Sequence, residues 1–229
     1  MSSFGLYLAF LVPPLLFGLF VQSWLKRTFA EQSQVADTSG LSGAQVARRI
    51  LDGNGLTDVE VQRAAGGPLS DHYDPRTRTV NLSEPVYDGT SVASTSVAAH
   101  ETGHAIQHQH AYKPLAVRSV LFPAVAFASS TWTILLVFGA ILGALGLVQV
   151  ALILYAVVVL FQFVTLPVEF DASRRAGKQL GELGLVTAPE QQGVHKVLRA
   201  AALTYVAGAL AALSQLAYFM LLFFGGNRG

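Results

Sequence analysis

His100 and His104 stand four residues apart in "AAHETGHAIQHQH", which runs from Ala98 to His110, and Glu101 follows the first of them directly. On a helix this spacing puts both imidazoles on one face. The pattern is H-E-x-x-H: two imidazoles hold zinc and the glutamate lies beside the water that the metal activates. Zinc brings the pKa of such a water down to about 7, the glutamate takes its proton, and a peptide carbonyl is attacked. Five-residue patterns of this kind also arise by chance, as ordinary polar residues on a helix at a membrane surface. The preceding "VASTSVAA" argues against that. It is small and apolar, so burying that face would bury Glu101 and both histidines, at a high cost unless they are paired or bind a metal.

A catalytic zinc site needs a third protein ligand and one open position. His110 completes the spacing H-E-x-x-H-x-x-G-x-x-H, but Gln107 stands where that pattern has its helix-breaking glycine. The pattern also needs a methionine turn downstream, and the chain's methionines are Met1 and Met220. Glu169, in "LPVEFDASRRA", is the stronger candidate. It is the first charge after the uncharged stretch Ser119–Val168, and an acid at the edge of an apolar span is functional by default. Asp171 is its nearest rival and better suits a supporting role or a helix start. His108 shares the helix face of His100 and His104 and reads as support or surface. His72, Tyr73 and Arg174, with its neighbour Arg175, are candidates to steady a developing oxyanion. His195 stands isolated.

These residues need elements to hold them. The Ala-rich stretch after Asp88-Gly89 reads as one helix over about Ser91–His108, and Gly103 would let another element approach it closely. "SGAQVARRILDGNG" reads as an amphipathic helix capped by Ser42 and stopped at Gly53-Asn54-Gly55. "DVEVQ" reads as a strand, and a turn at Asp74-Pro75 leads to a second strand over about Arg78–Ser83. "PVEFDASRRAGKQLGELG" continues as a helix out of the apolar run before it. Thr187 and Glu190 have capping-box spacing, with Pro189 in the first turn, and open a last helix.

Three stretches carry no charge at all: Ser2–Leu25, Ser119–Val168 and Ala200–Asn227. A bilayer core takes about 20 apolar residues per helix. The outer two therefore fit one span each and the middle one a hairpin, with its turn near Gly139–Gln149. The first run reads as a retained anchor rather than a cleaved signal peptide, since it lacks a basic start and Lys26-Arg27 follow it. The expected segments are an N-terminal span (1–25), a polar catalytic segment (26–118), a hairpin (119–166), a second polar segment with the third ligand (167–199) and a C-terminal span (200–229). Lys26, Arg27, Lys113, Arg118, Arg174, Arg175, Lys178, Lys196 and Arg199 then fall on one side, and Arg228 on the other. The positive-inside rule puts the polar segments in the cytoplasm.

Charged residues make up 13% of the chain and the formal net charge is +1, so nucleic acid is not an expected partner. There is no cysteine, which removes thiolate zinc sites and a cysteine nucleophile. There is no P-loop, so no nucleotide is expected, and any ATP-driven unfolding would need a regulatory membrane-protein partner.

"HETGHAIQ", "DHYDPRTRTVNLS", "SVAAH" and "PVEFDASRRA", set around four apolar runs, resemble the bacterial membrane neutral zinc metallopeptidases of the YugP type. The resemblance covers nearly the whole chain. It implies an endopeptidase of gluzincin type with one Zn2+ per chain, held by His100, His104 and Glu169, with Glu101 as general base. A more distant likeness is to HtpX-type and CAAX-prenyl-type membrane proteases, where the third ligand opens an E-[FY]-x-A-D pattern. Here Glu169-Phe170-Asp171-Ala172-Ser173 matches except at the last position. Ser173 removes the carboxylate that orients a ligand histidine in those families, so Asp171 or another group must replace it. By the same analogy Thr79, Val80, Asn81, Leu82 and Ser83 form the candidate edge strand for a substrate backbone.

The expected molecule is an α-helical membrane protein with about four transmembrane helices. It carries a small α+β zincin-like catalytic domain at the membrane surface. It would hydrolyse membrane-associated or unfolded protein segments at the inner membrane of a bacterium. Two rivals remain: a zinc-binding scaffold without activity, and a metal transporter or sensor. The bare spans count against the transporter, and the presence of Glu101 counts against the scaffold.

Overall fold

In the computed structural model, which describes residues 3–67 and 69–225, long helices dominate and one small sheet interrupts them. The order is α1 (Ser3–Ser33), α2 (Gly43–Gly53), β1 (Glu60–Arg63), β2 (His72–Asp74), β3 (Thr79–Leu82), α3 (Glu84–Tyr87), α4 (Val92–Gln109), α5 (Lys113–Ile141), α6 (Leu145–Glu182) and α7 (Ala188–Phe224). Among the described residues α1, α5, α6 and α7 are long and apolar enough to cross a membrane. Arg228, the one cation assigned to the far side, lies outside the described residues.

The chain divides into two compact units. One holds α1 up to Gln22, Val117–Leu166 and the chain from Thr204 on. Phe127, Ile134 and Ile141 present more than half their surface outward here, as side chains in contact with lipid do. The α5–α6 turn is Leu142-Gly143-Ala144, where Gly143 takes the left-handed conformation that suits a residue without Cβ. Two polar groups of this unit pair with each other: Tyr155 donates to Gln215 Oε1 at 3.0 Å, and Trp132 packs on the Tyr155 ring at 4.2 Å.

The other unit holds Ser23–Ala116 and Pro167–Leu203. Ser42 and Gln45 start α2 by bonding each other's backbone, and Gly43 N donates to Gly89 O at 2.9 Å, so three of the first four backbone donors are satisfied. Val46, Ile50 and Leu51 on its inner face meet Val59, Val80 and Leu82 of the sheet region, with Ala98, Ala99 and Ile106 of α4. Leu180 and Val194 from the later helices complete that core.

The sheet order is β1-β3-β2, with β1 parallel and β2 antiparallel to β3. This corrects the expectation that Thr79, Val80, Asn81, Leu82 and Ser83 form an edge strand. Both backbone edges of β3 are already paired, and all four of its residues are buried. Its apolar side chains Val80 and Leu82 have no water-facing side to occupy. The free edges belong to β1 and β2. β2 escaped the sequence pattern because it is only His72-Tyr73-Asp74, too short to alternate visibly. Tertiary bonds define it instead: Asp71 Oδ1 accepts from Ser83 N at 2.7 Å, which ties its start to the end of β3.

Candidate metal centre

α4 begins at Ser91, whose hydroxyl accepts from Ser94 N, and is anchored one turn in, where Thr95 Oγ1 donates to Asp37 Oδ2 at 2.6 Å. From Val92 to Gln107 all its residues are buried except Val97 and His100. Gly103 explains how a second backbone comes so near. A Cβ there would lie 2.6 Å from the Ala172 carbonyl oxygen of α6. The small residue inside the H-E-x-x-H stretch therefore admits the helix that carries Glu169.

Across this contact His100 Nε2 lies 3.2 Å and His104 Nε2 3.6 Å from Glu169 Oε2. The two rings meet edge to face at 4.8 Å between centroids. One ligand atom from each of the three residues lies within 4.8 Å of the others, and Glu169 is 2% exposed. Two ligands at about 2.0–2.1 Å from a tetrahedral ion stand roughly 3.4 Å apart, and the two observed separations bracket that value.

The hydrogen bonds test whether a cation fits. Gln107 Nε2 donates to Val168 O at 2.8 Å and to Asp171 Oδ2 at 3.0 Å, and both partners only accept. The amide is thereby fixed with Oε1 towards His104 Nδ1, 3.0 Å away. An amide oxygen cannot donate, so Nδ1 carries a proton, and in the neutral ring that a metal requires the Nε2 lone pair faces the Glu169 carboxylate. In that tautomer two acceptors face each other across 3.6 Å in a buried site. A divalent cation between them is the species that donor set suits: two imidazoles and one carboxylate.

Glu101 lies on the same helix, 8% exposed, and accepts no hydrogen bond from the described residues. Its carboxyl is pushed up to about 7, first by burial. The neighbouring Glu169 and Asp71 carboxylates add to this, and His100 and His72 oppose it.

The other sequence candidates fall into place around the three. Asp171 is buried and held by Arg174 and Arg175 as well as by Gln107. His100 Nδ1 meets Ser173 Oγ at 3.2 Å. Tyr73 OH bonds His108 Nδ1 at 2.9 Å, which sets edge strand β2 beside α4. His72 Nδ1 donates to Ser70 O at 2.8 Å. His110 caps α4 and its Nδ1 lies 3.2 Å from Arg175 Nη1, so it is not one of the three. Sequence reasoning missed Gln107, which it treated only as a residue where a glycine was wanted. Its burial on the ligand face, one turn after His104, was the available signal.

A buried H-E-x-x-H helix facing a glutamate on a later helix, with four apolar spans, defines a class. Residues 7–224 match the family described as "Putative neutral zinc metallopeptidase", and the chain belongs to that family. The chain is also 49% identical over 203 residues to "Putative membrane protease YugP" of Bacillus subtilis (strain 168), covering 89% of this chain and 90% of that protein. No solved structure matches the chain.

Proposed function

We propose that the chain is a membrane-embedded, zinc-dependent endopeptidase that cleaves extended segments of membrane-associated or unfolded proteins. The observation that carries this reading is the buried Glu169 carboxylate facing the Nε2 atoms of His100 and His104, with unpartnered Glu101 on the same helix. His100 and His104 through Nε2, and Glu169 through its carboxylate, would hold one Zn2+ per chain. When bound, zinc supplies Lewis acidity to water and to the scissile carbonyl.

Glu101 takes a proton from the attacking water and returns it to the leaving amine. Burial raises the Glu101 carboxyl and favours its protonated form, which suits the return of the proton. The substrate backbone would add to the free edge of β2, the outer strand whose Tyr73 side chain reaches His108 of α4. The excess of lysine and arginine at the span ends supports a cytoplasmic side for both polar segments.

The test is cleavage of an unfolded protein by the full chain in detergent, with zinc measured in the same samples. Glu101→Gln should lower cleavage by about 10²–10⁴-fold at unchanged zinc content. Equal cleavage by wild type and Glu101→Gln would overturn the mechanism. Zinc bound by a wild type that cleaves none of the substrates tried would favour the inactive scaffold.

A further inference from the structure

We infer that Gln107 is the positioning residue of this centre: it fixes the tautomer of His104 and locks the histidine helix in register with Glu169. This rests on the zinc reading above. Gln107 is fully buried, and each end of its amide is committed. The oxygen end faces His104 Nδ1, and the nitrogen end donates to Val168 O and Asp171 Oδ2. Those two acceptors lie on either side of Glu169 in the sequence, so one side chain clamps α4 to the turn of α6 that carries the third ligand.

Asp171 is kept an acceptor by the guanidiniums of Arg174 and Arg175. The direction of every bond from there inwards is therefore set: arginine to Asp171, Gln107 to Asp171, His104 to Gln107. The chain of donors ends with the His104 Nε2 lone pair aimed at the ion site. His100 lacks such a lock. Its Nδ1 meets the Ser173 hydroxyl, which donates or accepts as the ring requires. The two histidines are thus unequal: His104 is preset and His100 adapts. The amide also differs in kind from a carboxylate partner. It is neutral, so it draws less positive charge away from the ion while still fixing the ring.

The test uses the full chain in detergent, with zinc affinity read by competition with a chromophoric chelator and the site geometry read from the visible spectrum of the Co2+-loaded protein. Gln107→Met keeps length and bulk but removes every hydrogen bond. It should weaken zinc binding about 10–100-fold and shift the cobalt spectrum. Ser173→Ala should cost clearly less. Asp171→Asn weakens the far end of the lock while Val168 O still accepts from the amide, and should cost less affinity than Gln107→Met but shift the cobalt spectrum the same way. A folded Gln107→Met with wild-type zinc affinity and an unchanged cobalt spectrum would overturn the inference, as would Ser173→Ala costing as much. Should Gln107→Met not fold, Asp171→Asn decides: a weakened zinc affinity with a shifted cobalt spectrum supports the lock, and wild-type affinity with an unchanged spectrum overturns it. A wild type that binds no zinc would instead remove the zinc reading itself.

Discussion

α4 and α5 are consecutive helices, and neither has a polar face, for opposite reasons. α4 is buried from Val92 to Gln107 except at Val97 and His100, and α5 shows Phe122, Phe127, Ile134 and Ile141 outward. Protein surroundings let a helix carry Thr95, Glu101, Thr102, His104 and Gln107 buried, provided partners exist. Thr95 has Asp37, Thr102 has the Ala99 carbonyl, and Gln107 has three contacts. A lipid surrounding would offer no such partners, and Tyr155 and Gln215, on two of the candidate spans, pair with each other. The difference teaches where chemistry can sit: Glu101 remains without a hydrogen-bond partner in a wall where its neighbours are satisfied.

Truncation in each region separates the two kinds of burial. Leu82→Ala, fully buried in β3, should destabilise the protein by about 2–5 kcal/mol in thermal or denaturant unfolding. A cost below 1 kcal/mol would mean that the sheet is not part of the core.

The next effect is electrostatic. In the metal-free protein the folded state keeps a proton on Glu101 up to pH about 7, whereas the unfolded chain loses it near 4.5. Its penalty is absent below 4.5, grows as pH rises through that window and levels off above 7. The total is about 3 kcal/mol. Stripped Glu101→Gln should lose that slope and be more stable than stripped wild type at pH 8. Parallel pH profiles of unfolding for the two proteins would contradict it.

Gly103→Ala probes the close approach. On an exposed helix the change stabilises by about 1 kcal/mol. Here the new Cβ meets the Ala172 backbone, so the sign should reverse, with a loss of about 1–3 kcal/mol and of bound zinc. The smallest effect belongs to the lipid-facing side: Ile134→Ala should change stability by less than about 0.5 kcal/mol in detergent. A loss comparable to that of Leu82→Ala would show that this face packs against protein.

Much of this was legible in residue types. Ser42 announced the start of α2, charge-free runs announced the four long helices, and Gly103 announced a close neighbour. Glu169 stood out as a lone acid after an apolar run, and it does lie against His100 and His104. What could not be read was set by long-range pairing. β3 reads as an exposed-edge candidate only until β1 and β2 are both seen to pair with it. Gln107 looks like a misplaced residue in the local pattern, because its partners, Val168 O and Asp171, come from a helix some sixty residues later. Ser173 looked like a missing carboxylate, yet its hydroxyl lies against His100, and Asp171 acts on His104 through the amide between them.

The most direct measurement is zinc per chain, by elemental analysis of the full-length protein purified in detergent, for wild type, Glu101→Gln and Glu169→Ala. Wild type and Glu101→Gln should each hold about one zinc, and Glu169→Ala should hold essentially none, because the third ligand is gone while both histidines remain. A Glu169→Ala protein that keeps its full zinc would contradict the ligand set of His100, His104 and Glu169.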